Sequence, residues 1–249
     1  MPNVKKRPKK RLDLALLEAK LVPSRQQAKA LILAGRVLID HVPLDKAGTM
    51  IYEDALIEIK GDISPFVSRG GLKLEAVFDH FDFSVNDLIC MDIGASTGGF
   101  TDCLLQHGAK KVYAVDVGYG QLAWKLRQNP RVIVIERTNI RHLNPDKISD
   151  RIDVITIDTS FISLKLVVPA ALKFLKKGGK LVTLVKPQFE VGKGKVGKGG
   201  VVKDPAAHET VLLELSSFFK NKGLEPSPAI PAPIMGPKGN QEFIMVVKA

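Results

Sequence analysis

From residue 88 onward the chain repeats one pattern, a short apolar strand-like run followed in most cases by a stretch with helical spacing. The runs read LICMDI, KVYAVD, RVIVIE, DVITID, KLVTLVK and FIMVVK. Strands that alternate with helices admit few topologies, because each parallel strand needs a crossover that returns the chain to the same edge of the sheet. The pattern predicts an α/β fold built on a doubly wound, mostly parallel sheet with helices on both faces. Such sheets bind their ligands beyond the carboxyl ends of the strands, where the direction of winding reverses.

The first of those strand ends opens into MDIGASTGGFTD, residues 91–102. Glycines at a strand-to-helix turn point to a ligand that approaches the backbone closely. A dinucleotide fingerprint would read GxGxxG, with its second glycine against the pyrophosphate. Here the order is Gly94-Ala95-Ser96-Thr97-Gly98-Gly99, and Ser96 stands where a pyrophosphate needs no side chain. The loop suits S-adenosylmethionine better. Asp116 closes the second run, 24 residues past Asp92 (116 minus 92). A carboxylate there can accept hydrogen bonds from both hydroxyls of a ribose. A second glycine-rich stretch, Gly192 to Lys198, comes within one residue of a P-loop, but Gly199 replaces the Ser or Thr that would bind magnesium. It reads as a basic loop able to touch phosphates or cover substrate, with plain disorder an equal alternative.

The chain has 249 residues and a formal net charge of +11, which favours a polyanionic partner such as nucleic acid. Six of the first eleven residues are Lys or Arg, and no acid lies among them. Cys90 and Cys103 lack CxxC spacing, and His41, His80, His107, His142 and His208 are scattered. These patterns argue against a disulfide framework and against a metal site. No apolar run approaches the roughly 18 residues that span a bilayer, and no signal peptide follows the basic start, so the expected location is the cytoplasm.

If the loop holds a methyl donor, the acceptor can be narrowed chemically. Methylation at cytosine C5 needs a nucleophilic cysteine, commonly after proline, but Cys90 follows Ile89 and Cys103 follows Asp102. Methylation of exocyclic amines uses a DPPY-like loop after the fourth strand. At that place stands Asp158-Thr159-Ser160-Phe161, which lacks both prolines. A hydroxyl remains. It attacks a methyl sulfonium only when a base takes its proton, and lysine serves when burial and a second cation lower its pKa. Lys186 ends one apolar strand and Asp158 its neighbour, and Lys73 and Glu242 complete a charged constellation.

The N-terminal part carries its own pattern. Leu12, Leu16 and Leu17 recur at helical spacing. Ser24 is placed to cap a helix over Arg25 to Ala34, with Ala28, Leu31 and Ile32 facing a core and Gly35 ending it. Short strand-like runs, RVLID and ALIEIK, follow. Arg11-Leu12-Asp13, Ser24-Arg25, Ala28, Leu31-Ile32 and Gly35-Arg36-Val37, with Asp54 and Ile57, resemble the ribosomal-protein-S-four-type RNA-binding domain. Asp40-His41 departs from the Asn-Gly usual in its strand turn. The expected organisation is a basic disordered arm over 1–10, this domain over 11–60, a linker over 61–67 and the α/β domain over 68–249.

Across the whole chain, SRGGLKL, DIGASTGGFTD, VDVGYGQLAWKLR, ERTNIR, DTSFISL, LVKPQFEVGK, GVVKDPAAH and GNQEF resemble the TlyA family. Members are often labelled hemolysins but group with FtsJ-like ribosomal RNA 2′-O-methyltransferases. The resemblance implies a Rossmann-like methyltransferase fold with a seven-stranded sheet, no metal, and methylation of a ribose 2′-OH, on cytidine, in ribosomal RNA or ribosomal subunits. It places a catalytic tetrad on Lys73, Asp158, Lys186 and Glu242. For S-adenosylmethionine it implies Asp92, Gly94, Ala95, Ser96, Thr97, Gly98, Gly99, Phe100, Asp116, Val117, Asn139, Ile140 and Asp158. The expected RNA contacts are Arg11, Ser24, Arg25, Lys29, Arg36, Arg69, Lys193, Lys195 and Lys198. Thr159 departs from the usual aliphatic residue, which bears on the cofactor pocket. Two other readings compete: a membrane-active hemolysin, and an RNA-binding protein without catalysis.

Overall fold

The computed structural model describes residues 7–22, 24–60, 65–192, 194, 196–197 and 199–249. The chain divides into two compact units, Met1–Pro65 and Phe66–Ala249.

The first unit runs β1 (Lys9–Arg11), α1 (Leu12–Glu18), α2 (Arg25–Leu33), β2 (Val37–Ile39), β3 (Val42–Leu44), β4 (Met50–Tyr52) and β5 (Ile57–Ile59). β1 pairs with β4, and β2 lies antiparallel between β3 and β5. Ser24 caps α2 as its position predicts, its Oγ accepting from the Gln27 N–H at 3.2 Å. Gly35, at φ +65°, closes the helix, while the N–H groups of Gly35 and Arg36 bond back to the carbonyls of Ile32 and Leu31. That double bond pattern satisfies the carbonyls a helix end leaves open. Ala28, Leu31 and Ile32 pack with Leu12 and Leu16 in a small core, whereas Leu17 is exposed.

Asp40 and His41 form the two-residue turn between β2 and β3, with φ of 48° and 68°. Left-handed backbone suits glycine, so two side chains there need compensation. Asp40 Oδ1 accepts from the Leu56 N–H at 3.0 Å, and His41 Nδ1 lies 2.7 Å from Glu58. The departure from Asn-Gly thus keeps the tight turn and ties it to β5.

Two expected boundaries move. Residues 1–6 of the arm lie outside the described residues, but Lys9 and Lys10 are strand residues paired with Tyr52 and Ile51. Lys9 Nζ sits 4.5 Å from the Tyr52 ring centroid, and Lys10 pairs with Glu18 at 2.8 Å. Residues 61–64 of the linker lie outside the described residues, whereas Phe66 and Val67 already belong to the second unit. The Phe66 ring fills the space a side chain at Gly71 would take, and the Val67 N–H donates to Asp102 Oδ2 at 2.8 Å.

The second unit holds α3 (Gly70–His80), β6 (Ile89–Ile93), α4 (Gly99–Gln106), β7 (Lys111–Val115), α5 (Trp124–Arg127), β8 (Val132–Ile135) and β9 (Ile152–Ile157). It continues with α6 (Leu164–Ala171), β10 (Leu175–Val185), α7 (Pro187–Glu190), α8 (Pro205–Asn221), β11 (Glu225–Pro226), β12 (Ile230–Pro231) and β13 (Phe243–Lys248). The sheet order is β11-β13-β10-β9-β6-β7-β8, with β12 also on β13. β6 to β10 run parallel and β13 antiparallel to β10. Eight strands appear in place of seven because the edge strand is split at Ser227-Pro228. There the Ser227 hydroxyl, in place of a main-chain carbonyl, accepts from the Val246 N–H at 3.1 Å.

Alternation along the strands divides the core into two layers. Met91, Ile93, Ile155 and Ile157 pack against α6 and α8, while Cys90, Val154, Val182 and Leu184 pack against α3 and α4. Helices therefore cover both faces, as parallel strands require. No helix among the described residues is long and apolar enough to cross a membrane.

Candidate active site

β6 has β7 on one side and β9 on the other, so the winding reverses between β6 and β9. The crevice this opens is where doubly wound sheets bind ligands. Each side of it is built from a strand end. β6 runs out at Ile93 into the glycine loop, and β9 at Ile157 into Asp158-Thr159-Ser160-Phe161.

The glycines of the loop answer first to the chain's own packing. Gly94, at φ +87°, leaves no room for a Cβ because the Asp158 carbonyl lies against it. Gly98, at φ +95°, caps α4 beneath Leu122 and Leu126, and Gly99 abuts Ser68 and the backbone of Gly70 and Gly71. Close chain-on-chain contact thus calls for glycine at all three positions, beside the ligand approach expected from sequence.

Beside this loop lies a cleft of about 520 Å³. Gly94, Ser96, Asp116, Val117, Asn139, Ile140 and Asp158 line it, as do Thr159 and Gln121. Asp116 is fixed by two backbone donors, the Ser96 N–H to Oδ2 at 2.7 Å and the Gly118 N–H to Oδ1 at 2.6 Å. Asn139 caps a short 3₁₀ turn, its side chain accepting from the Arg141 N–H.

The remaining expected cofactor residues stand off the cleft wall. Ala95 and Phe100 belong to the apolar layer that includes Leu74. The Thr97 carbonyl accepts from the Ala123 N–H at 3.1 Å, which makes it a loop anchor. Asp92 is fully buried beneath the loop. The hydroxyls of Thr101 and Thr156 donate to its two oxygens at 2.7 and 3.0 Å. Burial pushes its carboxyl up to about 7, against the threonine hydrogen bonds and with Asp158 adding to the rise.

A second pocket of about 240 Å³ adjoins the cleft, and Ser160 and Phe161 line both. Its wall includes Lys186, Gln188, Phe189, Lys238, Asn240 and Glu242. Lys186 leaves the end of β10 and places Nζ 2.5 Å from Asp158 Oδ1 and 3.0 Å from Ser160 Oγ, to which it donates. Glu242, directly before β13, is fully buried and receives a hydrogen bond from Lys73 of α3 at 2.6 Å. Its other oxygen, Oε1, is buried with no hydrogen-bond partner among the described residues. A buried carboxylate persists only with such a counter-charge. The four charged residues singled out in the sequence thus form two ion pairs, with Lys186 and Glu242 on one pocket.

Several lining residues carried no readable signal. Phe161 is 91% exposed, at φ +63°, with its ring 5.1 Å from that of Phe189. Left-handed backbone at a non-glycine residue marks stored strain, and nothing in the sequence of the loop announces it. Gly236 is needed because any side chain there would strike the Glu242 carboxylate. Asn240 accepts from the Val202 N–H at 3.1 Å and donates to the Gly200 carbonyl at 3.0 Å, anchoring the end of the second glycine-rich stretch.

Of the expected RNA contacts, Lys193, Lys195 and Lys198 lie outside the described residues. Arg69 is exposed at the start of α3, and Ser24 and Lys29 are exposed on α2. Arg36 is half-buried, its Nε donating to the Lys60 carbonyl at 2.8 Å. Arg11 and Arg25 both reach the solvent-shielded Asp13, at 3.0 and 2.9 Å. The Arg11 hydrogen bond, with help from Arg25, holds the Asp13 carboxyl down at about 2 against the opposing effect of desolvation.

Known proteins match this architecture. The FtsJ-like methyltransferase family matches residues 66–249, and the S4 domain matches residues 10–57. YqxC of Bacillus subtilis is 49% identical over 95% of this chain and 85% of its own. The 16S/23S rRNA (cytidine-2′-O)-methyltransferase TlyA of Mycobacterium tuberculosis is 45% identical over 94% of this chain and 88% of its own. A solved structure titled as a hemolysin, from Streptococcus thermophilus, superposes with a TM-score of 0.76 at 43% identity, covering 98% of this chain and 89% of that one. With the family's sheet, its switch-point cleft and an adjoining pocket of paired charges all present, the chain belongs to the FtsJ-like methyltransferases and carries an N-terminal S4 domain.

Proposed function

We propose that this protein transfers a methyl group from S-adenosylmethionine to a ribose 2′-hydroxyl of ribosomal RNA, on cytidine, acting in the cytoplasm on ribosomal RNA or ribosomal subunits. The observation that carries the reading is the pair of cavities meeting at Ser160 and Phe161, one holding Asp116 and the other Lys186 and Glu242. The likeness to the M. tuberculosis enzyme, whose name states that reaction, supports it.

The larger cleft falls within the roughly 300–1,000 Å³ usual for small-molecule sites. Its residues suit a nucleoside. Asp116 is already oriented by two N–H donors and keeps lone pairs for ribose hydroxyls, while Val117 and Ile140 offer apolar surface to a base. S-adenosylmethionine, when bound, supplies an activated methyl group.

Once Lys186 has given a proton to water, its neutral Nζ takes the proton of the acceptor hydroxyl, and Asp158 and Ser160 fix the position of that atom. Asp158 also lines the larger cleft, so one carboxylate faces both partners of the reaction. Lys73 neutralises Glu242, whose Oε1 is free to accept a hydrogen bond from the acceptor ribose. Phe161, exposed beside Phe189, presents a face on which an unstacked base can rest. On the first unit, Lys29, Arg36 and the unshielded edges of Arg11 and Arg25 meet phosphates, as does Arg69 on the second.

The test is incubation with labelled S-adenosylmethionine and ribosomal subunits, followed by nucleoside analysis. Label is expected on ribose, and Lys186→Ala is expected to lower the rate by about 10²–10⁴-fold, the usual worth of a positioned base. Label on a base, or an undiminished rate in that variant, rejects the reading.

A further inference from the structure

Away from the two cavities, the contact between α3 and α4 gathers a carboxylate, a thiol and an imidazole. The ligating atoms of Glu75, Cys103 and His107 all lie within 4.8 Å of one another. Glu75 Oε2 is 3.4 Å from Cys103 Sγ and 2.8 Å from His107 Nε2. Cys103 of α4 and His107, which caps the end of that helix, stand four positions apart and so leave the same side of it, and Glu75 meets them from the facing helix. The Phe78 ring stacks on the imidazole, 3.6 Å between centroids and 2° from parallel, fixing the ring with Nε2 towards Glu75. Cys103 is buried, while the side chains of His107 and Glu75 keep 31% and 36% of their exposure, so the cluster is open on one side.

We propose that Glu75, Cys103 and His107 form a zinc-class divalent cation site that clamps α3 to α4. The donor set is the first reason. A thiolate with an imidazole selects a borderline ion such as zinc, whereas calcium and magnesium demand six or more oxygens. Three protein ligands and one open position is a coordination zinc commonly takes. Spacing is the second reason. With bonds of about 2.0–2.3 Å and tetrahedral angles, neighbouring donor atoms sit roughly 3.3–3.7 Å apart. The Glu75–Cys103 separation of 3.4 Å already fits, and the Glu75–His107 separation of 2.8 Å has to open by about 0.5 Å. Charge is the third. One thiolate and one carboxylate cancel the two charges of the cation, and a neutral complex is what a half-buried contact can hold.

The exchange balances simply. Cys103 Sγ loses its proton to buffer as the sulfur–zinc bond forms. His107 binds as neutral imidazole through Nε2, Glu75 through its carboxylate, and waters leave the cation in their place. Glu75 lies two residues beyond Lys73 on α3, and α4 opens directly from the glycine loop, so the cation would brace both elements that frame the reaction.

The test uses the full chain without an affinity tag, stripped by a chelator and titrated with zinc chloride in a calorimeter. One equivalent is expected, with release of a proton. Cobalt chloride in its place is expected to give a thiolate-to-cobalt absorption band that Cys103→Ser removes. Glu75→Gln and His107→Gln, at partly exposed positions that tolerate change, keep the test decisive if the cysteine variant does not fold. Each should weaken zinc by more than the roughly 100-fold that loss of an outer-shell partner can cost. Absence of stoichiometric zinc, or zinc bound unchanged by the Glu75 and His107 variants, overturns the site.

Discussion

A carboxyl group with no solvent exposure keeps its proton well beyond the pH at which an exposed one gives it up. Asp92 is such a group, held at about 7 in the folded chain against 3.8 for the free side chain. Between those values the native state binds more protons than the unfolded one, so Asp92 removes stability as pH rises through that window and nothing further above it. Asp92→Asn carries no charge and keeps an acceptor for a threonine hydroxyl. It is expected to gain stability relative to the parent chain as pH climbs, measured as urea midpoints at about pH 4.5 and about pH 8. A gap that stays constant between the two refutes this. In the sequence Asp92 looked like a cofactor residue because it adjoins the loop. Alternation along β6 turns it inward instead, to Thr101 and Thr156, which only tertiary packing brings near. The sequence argued against a metal site, because Cys103 and His107 alone make no ligand set. The third member, Glu75, became visible only with α3 packed on α4.

Strand ends are the elements on which the site depends, and their order in the chain made them legible. Asp158 and Lys186 each close an apolar run, so the doubly wound pattern places them at one edge of the sheet before any contact is known. The glycine loop was legible as a turn, but its packing against the end of β9 was not. Its Gly94 gives way to Asp158's carbonyl, a neighbour 64 residues on (158 minus 94). Gly94→Ala therefore forces both left-handed strain and a clash, and is expected to cost about 1–3 kcal/mol in urea unfolding and to weaken donor binding. A variant with parental stability shows that the β6 and β9 ends are not locked together as described. Strands β1 and β3 escaped the sequence reading because β1 consists of Lys and Arg and β3 contains Pro43, so neither shows the apolar run that marked β2 and β5.

At the scale of the molecule, the net charge of +11 had been read as a sign of a polyanionic partner, and the S4 match on residues 10–57 agrees with that reading. Binding driven by phosphate contacts weakens steeply with salt, because each contact releases a condensed counterion. Affinity for ribosomal RNA should fall linearly on a log–log plot against salt. Lys29→Ala should shrink the slope by about 0.7–0.9, the share of one phosphate contact, while leaving donor binding untouched. Salt-independent binding counts against the electrostatic reading. What no local pattern could disclose is the pairing of Lys73 with Glu242, 169 positions apart, closed only because β13 docks antiparallel on β10. That distance sets an order of events during synthesis. A ribosome extending this chain releases the glycine loop and both strand-end charges while Glu242 is still unmade. Over the 75 residues from Val167 to Glu242 (242 minus 167), the growing polypeptide therefore carries all of the donor cleft's residues while the acceptor pocket is unfinished.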